Sequence, residues 1–144
     1  MMKKTLLYIA SLVVAVLLLG GCTRNHGDIG IWFGTWHVEQ ITADGTPVND
    51  VKGDYFFQFQ NKVFRVSQVY GHEQLVESFG TWNESEDGTK MTISFPDPSA
   101  YYIEMPGLEA NNEFTVTRAS SREITFTKAD ATGTTFAYHL KRQP

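Results

Sequence analysis

The chain has one cysteine, Cys22, among its 144 residues. No disulfide can form within it, so the fold must stand on packing alone. Basic residues are few: 12 Lys and Arg against 16 Asp and Glu give a formal net charge of −4. Nucleic-acid binding needs clustered Lys and Arg, and a chain of this sign is a poor candidate for it. There is no Gly-x-Ser-x-Gly elbow and no His-Glu-x-x-His pattern, which removes two common routes to hydrolysis. Beyond residue 19 no long apolar run and no amphipathic helical period occurs. That part of the chain offers no candidate membrane-spanning helix.

What is present begins at the N-terminus. Lys3 and Lys4 precede a 14-residue apolar run at residues 6–19, and Leu19-Gly20-Gly21-Cys22 follows. A basic start, a short apolar centre and small residues before a cut describe a secretory signal. The run is too short for a spanning helix, which needs roughly 20 residues. The segment resembles the signal of bacterial lipoproteins, whose lipobox ends in the cysteine that is acylated. The resemblance implies a removed signal at 1–21 and a lipidated Cys22. Thr23 follows the cysteine where an aspartate retains some lipoproteins at the inner membrane, and residues 23–28 hold no acidic run of the kind that marks surface export. The implied location is the cell envelope: lipid-anchored at the outer membrane and facing the periplasm. Removing the signal leaves roughly 120 residues, enough for one domain with a core. It also removes two lysines and no acid, making the remainder more acidic still.

Residues 22–30 are polar and glycine-rich and read as the lipidated cysteine and its tether. Residues 31–143 are short alternating segments, rich in aromatic and β-branched residues and punctuated by turn chemistry. Strands are expected at 31–41, 54–60, 63–70, 75–83, 89–95, 113–118, 122–128 and 134–141. Eight successive strands predict an all-β fold, an antiparallel barrel or sandwich. Alternation places Tyr55, Phe57 and Phe59 on one face, with Phe64, Val66 and Tyr70, Met91, Ile93 and Phe95, Ile124 and Phe126, and Phe136, Tyr138 and Leu140. The connections at 61–62, 84–88 and 119–121 are short and belong to one end. Those at 42–53, 71–74, 96–112 and 129–133 belong to the other. A tight end opposite an elaborated one suits a cup whose long loops carry function.

Phe33-Gly34-Thr35-Trp36 and Phe79-Gly80-Thr81-Trp82 are the same tetrapeptide, each followed by an Asp-Gly-Thr turn. The residues around the two copies do not otherwise align. The first copy, Gly-x-Trp on the opening strand, resembles the lipocalin signature, and the second resembles a pattern in small lipocalin-like lipoproteins of the Bacteroidota. In lipocalins the Trp plugs the closed end and a basic residue after the last strand stacks on it. The resemblance implies an eight-stranded antiparallel up-and-down barrel, lipocalin-like, that Trp36 and Arg142 close. The Thr-Asp-Tyr motif of kernel lipocalins is absent; Ala119-Ser120-Ser121 stands in its place.

Binding of a small hydrophobic molecule is what such a family leads one to expect. An eight-stranded barrel has just enough width to be filled by side chains or to hold one ligand. A hollow barrel would be lined at its open end by Tyr55, Phe57, Tyr70, Phe95, Phe114, Phe126 and Phe136, with Tyr101 from the long loop. Lys128 and Gln40 are the polar groups expected to reach a ligand head group. Residues 96–112 also contain Tyr102, Ile103, Met105 and Leu108, many apolar residues for a connection. Such a loop either folds onto the rim and buries them or serves as a lid or protein-docking surface, the latter giving an interaction or inhibitor module. His37 and His139 fall on neighbouring strands but lack a third ligand, and no metal or cofactor is expected. Glu84, Glu86 and Asp87 cluster in a predicted tight turn, where carboxylates are normally solvated. Non-catalytic binding is therefore expected rather than an enzyme.

Overall fold

The computed structural model describes residues 30–71, 74–97 and 103–144. Cys22 with its tether, His72 and Tyr101 lie outside the described residues. The strands are β1 (Gly34–Ala43), β2 (Thr46–Pro47), β3 (Asp54–Gln60), β4 (Val63–Tyr70), β5 (Gln74–Glu84), β6 (Lys90–Ser94), β7 (Asn111–Arg118), β8 (Glu123–Ala129) and β9 (Thr135–Arg142). The 54–60 and 63–70 strands stand where the sequence predicts them, and the other six strands shift by one to three residues at one or both ends. Each long strand pairs antiparallel with its chain neighbour, and β1 also pairs with β9. The result is a closed eight-stranded barrel. The two-residue β2 only extends β1 through a hairpin, at Thr42↔Pro47 and Ala43↔Thr46. That hairpin turns on Asp44 and Gly45, both at positive φ (49° and 82°), the geometry an Asp-Gly pair adopts most readily.

The alternation that makes these segments strands also fills the interior. β3 buries Tyr55, Phe57 and Phe59 and leaves Asp54 and Gln60 exposed. β7 and β8 bury Phe114, Val116, Ile124 and Phe126 by the same rule. Each such ring contributes on the order of 2 kcal/mol by leaving water.

β1 departs from simple alternation. Val38 faces Leu140, but the next pair with β9 is Gln40↔His139, so Glu39 is an extra residue in the ladder. This bulge reverses the strand's parity. Trp36 and Val38 point inward, then Ile41, while Gln40 is exposed. Gln40 therefore cannot supply a head-group contact inside the barrel. The bulge is also where β1 leaves β3, whose last shared pair is Val38↔Tyr55.

Two fully buried tryptophans sit at the closed end. Trp36 is fully buried, and the Cζ of Arg142 lies 5.9 Å from its ring centroid. Arg142 is the last residue of β9 rather than a residue beyond it, and it pairs directly with Trp36. Trp32 comes from a 3-10 turn, Gly30–Trp32, that precedes β1. It too is fully buried, with ring centroids 5.3 Å from Phe59 and 5.5 Å from Phe126. The Cζ of Arg118 lies 5.6 Å from its centroid. A 3-10 turn stands where a strand is expected from residue 31, so the strand pattern reveals neither the burial of Trp32 nor its contact with Arg118.

Candidate functional site

Residues 103–110 are folded into the open end. Ile103, Met105 and Leu108 are buried there, while Glu104 between them is exposed. The described part of the long connection thus follows the first of its two expected arrangements, burying its apolar side chains against the barrel. It forms a plug.

Polar groups rising from the barrel wall hold the plug by its backbone. The Tyr55 hydroxyl donates to Glu104 O at 2.8 Å, and the Tyr138 hydroxyl donates to Pro106 O at 2.6 Å. The Lys128 ammonium donates to Gly107 O at 2.7 Å, to Asn112 Oδ1 at 2.8 Å and to Glu109 Oε1 at 3.3 Å. Asn112 is itself fixed: its amide donates to Glu109 O and Ile93 O, and its oxygen accepts from Glu109 N. Gln68 Nε2 donates to Lys52 O at 2.9 Å and to the Tyr55 oxygen at 3.3 Å. Burial, with the Glu104 carboxylate beside it, pushes the Tyr55 hydroxyl above the usual tyrosine range. It therefore remains a proton donor at neutral pH.

Gly107 is required by the close approach. Its φ is +78°, and a Cβ there would stand 2.4 Å from the Tyr138 hydroxyl oxygen and 2.5 Å from the Phe136 ring. Any side chain would push the plug out of its seat.

The expected lining residues are distributed differently from a cup. Phe57, Phe114 and Phe126 are fully buried and pack on one another, with Phe114–Phe126 centroids at 5.1 Å and Phe57–Phe126 at 6.2 Å. Tyr138 closes the layer from above, 5.8 Å from Phe114. Phe95 is buried against Phe64 at 6.1 Å. Phe136 is half-buried and stacked on Tyr138, and Tyr70 is half-buried at the rim, beside Gly53. Phe57, Phe114, Phe126 and Tyr138 form a packed floor beneath the plug, while Phe136 and Tyr70 stand higher, at its side and at the rim. Alternation alone does not separate a filled from a hollow barrel, because the two share one inward pattern. Gln68, Asn112 and Tyr138 escaped the sequence reading as site residues. The one available signal is that Gln68 and Asn112 are polar residues at inward parity.

One cleft at the open end, of about 450 Å³, lies beside the plug, lined by Asp50, Val51, Lys52, Tyr55, Gln68, Glu104, Met105 and Pro106. A wider cleft of about 680 Å³ lies at the closed end, beside Phe33, Arg122 and Arg142. There Arg142 already donates to Phe33 O and Ile31 O. His37 is bonded to Asp54 at 3.1 Å and His139 to Thr125 at 3.2 Å, each with its own partner. Among the described residues no three His, Cys, Asp or Glu side chains come together as metal ligands would.

The barrel resembles two solved structures from Bacteroides. One is a lipocalin-like protein from Bacteroides uniformis ATCC 8492, with a TM-score of 0.61 and 18% identity, covering 79% of this chain and 100% of that one. The other is an uncharacterized protein from Bacteroides eggerthii DSM 20697, with a TM-score of 0.60 and 16% identity, covering 78% and 99%. The fold is therefore lipocalin-like, as the Gly-x-Trp strand led one to expect. No protein-family model matches the sequence, and no curated protein sequence does.

Proposed function

We propose that this protein is a non-catalytic binder of a small hydrophobic or amphipathic molecule, taken up at the open end of the barrel. The observation that carries the reading is the plugged mouth. Ile103, Met105 and Leu108 fill apolar space that a ligand's body would occupy, and a cleft of about 450 Å³ opens directly beside them. That volume lies in the range of small-molecule sites, and its lining sets Val51, Met105 and Pro106 beside the polar Tyr55, Gln68, Asp50, Lys52 and Glu104, a mix suited to an amphipathic molecule. Binding then proceeds by exchange, with the ligand wedging in at the cleft as the plug lifts. The inward direction of the plug's apolar side chains leaves Ile103, Met105 and Leu108 unavailable as a protein-docking surface.

The signal-like N-terminus supports an anchor through lipid on Cys22, holding the barrel in the cell envelope at the outer membrane. Radioactive palmitate fed to expressing cells should label the protein, and Cys22→Ala should abolish the label.

Native mass spectrometry of the protein purified from its own cells tests the binding reading. A co-purifying small molecule, lost when Tyr55 is replaced by Trp, supports it. A clean apo mass that no lipid extract alters would remove it and turn attention to protein partners of the long loop.

A further inference from the structure

Ion pairing divides the cations of the barrel into two groups. Arg65, Lys90, Arg118 and Lys128 each lie within 3.4 Å of a glutamate oxygen, on Glu77, Glu113, Glu84 and Glu109 respectively. Lys62, Arg122 and Arg142 have no carboxylate at such a distance among the described residues. All three lie at the closed end: Lys62 in the β3–β4 turn, Arg122 at the β7–β8 turn and Arg142 at the end of β9. Arg122 and Arg142 line the cleft of about 680 Å³ together with Phe33, Thr35 and Ser121. Their backbones meet there, with Arg142 N donating to Arg122 O at 2.8 Å. The Phe33 side chain, on the same rim, is 55% exposed. The acids of this end stand elsewhere. Glu84, Glu86 and Asp87 occupy the β5–β6 turn, which the strand order puts across the barrel from the β9–β1 seam. Glu123 faces Lys141 in the β8–β9 ladder.

We infer that this basic arc, with Phe33, is a membrane-resting face that takes the phosphodiester of an anionic phospholipid between Arg122 and Arg142. The inference rests on the lipid-anchor reading given above. Gly30, where the chain from Cys22 enters the described barrel, belongs to the same corner, since Arg142 donates to Ile31 O and Phe33 O. Residues 23–30 span at most about 26 Å when extended. An anchor on Cys22 therefore keeps the arc within reach of the bilayer surface. A contact that is weak alone becomes populated through such a high local concentration. Each basic residue near an anionic leaflet favours the contact about fivefold. The exposed Arg122 guanidinium offers phosphate oxygens the paired N–H donors that an ammonium lacks. Phe33 supplies an aromatic ring for the head-group level of the bilayer. The overall charge of −4 does not oppose this. Asp44, Asp50, Glu104 and Glu109 lie at the open end, a strand length away. That is roughly 20 Å, about two Debye lengths at 0.1 M salt.

The test uses protein extracted from the membranes of expressing cells and reconstituted into vesicles. One set is phosphatidylcholine alone, and the other adds phosphatidylglycerol as the anionic lipid. A nitrobenzoxadiazole dye on Ser121→Cys reads the closed end, and the same dye on Ala131→Cys reads the open end. A nitroxide-bearing lipid quenches whichever dye touches the bilayer. Quenching at residue 121 is expected to be at least about twofold greater with phosphatidylglycerol than without, while residue 131 stays unquenched in both. Arg122→Glu with Phe33→Ser, both at exposed side chains, should abolish the phosphatidylglycerol dependence. Thermal melts establish that each variant is folded; should the double variant fail to fold, the comparison of lipids and of dye positions still decides. Equal quenching at residue 121 in the two lipid mixtures overturns the contact and leaves the anchor standing. Equal quenching at residues 121 and 131, or a lipid dependence that survives the double variant, does the same. A protein that floats with neither vesicle, or that takes a second dye on Cys22, removes anchor and contact together.

Discussion

Arg142 stands directly opposite Trp36 in the β1–β9 ladder, with its guanidinium carbon 5.9 Å from the indole centroid. The same side chain donates to Phe33 O at 2.9 Å and Ile31 O at 3.3 Å. One residue thus ties the last strand to the indole that seals the barrel and to the turn that enters it.

Removing that side chain should be felt at both places. Arg142→Ala is expected to cost about 2 kcal/mol, combining a partly buried cation–π contact with charge-assisted hydrogen bonds. Arg142→Lys should recover little, because an ammonium cannot reach two carbonyls with a planar fork. Arg118→Ala, at the more exposed partner of Trp32, should cost about 0.5 kcal/mol. Urea unfolding of the three variants checks the order. Equal costs for the two alanine variants would show that the Arg142 carbonyl contacts contribute nothing.

Trp32 should matter as much as any core residue despite lying outside the strands. It is fully buried between Trp36, Phe59 and Phe126. Trp32→Ala is expected to cost about 3–5 kcal/mol by leaving a large cavity at the closed end. A loss below about 1 kcal/mol would mean that the turn carrying Trp32 is not part of the folded core.

The contrast between Trp36 and Trp32 shows what was readable from sequence. Trp36 sits in a Gly-x-Trp that resembles the lipocalin signature, and that resemblance implied its place at the closed end. Trp32 is placed by a 3-10 turn, whose local geometry leaves no period-two trace. The turn residues Asp44-Gly45 and Asn61 were legible because their positive φ restricts residue choice. The Glu39 bulge was not, since an extra residue looks the same as a regular one until the partner strand is known. The plug was legible only in part: apolar side chains in a long loop signal burial, but not that backbone carbonyls would meet Tyr55, Tyr138 and Lys128.

The turn after β5 supplies a pH dependence. Asp87 accepts from Ser85 Oγ at 2.7 Å and from both Thr89 N and Thr89 Oγ1, and these bonds lower its pKa from 3.8 to about 2. A carboxyl lowered in the folded state contributes stability that is present above its unfolded pKa. That contribution is lost as pH falls from about 4 through about 2. Melting temperatures across pH 5 to 2 should therefore drop more for the wild type than for Asp87→Asn. Parallel curves would mean that the Ser85 and Thr89 bonds do not persist in solution.

Gly107 offers the sharpest separation of stability from binding. A Cβ at this position meets the Tyr138 hydroxyl and the Phe136 ring well inside contact distance, at a φ of +78° that an alanine adopts only with strain. Gly107→Ala should therefore unseat residues 103–108 while leaving the β-ladders, which contain no plug residue, intact. Stability should fall by about 2 kcal/mol, since part of the burial of Ile103, Met105 and Leu108 is lost. Ligand uptake should move the other way. If the plug competes with a ligand for the mouth, a weakened plug raises the fraction of open protein, and apparent affinity rises in proportion. The naphthalene dye 1-anilinonaphthalene-8-sulfonate, an apolar anion whose fluorescence rises on burial, gives a direct readout alongside a urea melt. Lower stability with tighter dye binding is the expected pair of results. Lower stability with unchanged dye binding would mean that residues 103–108 are a fixed part of the core and not a displaceable lid.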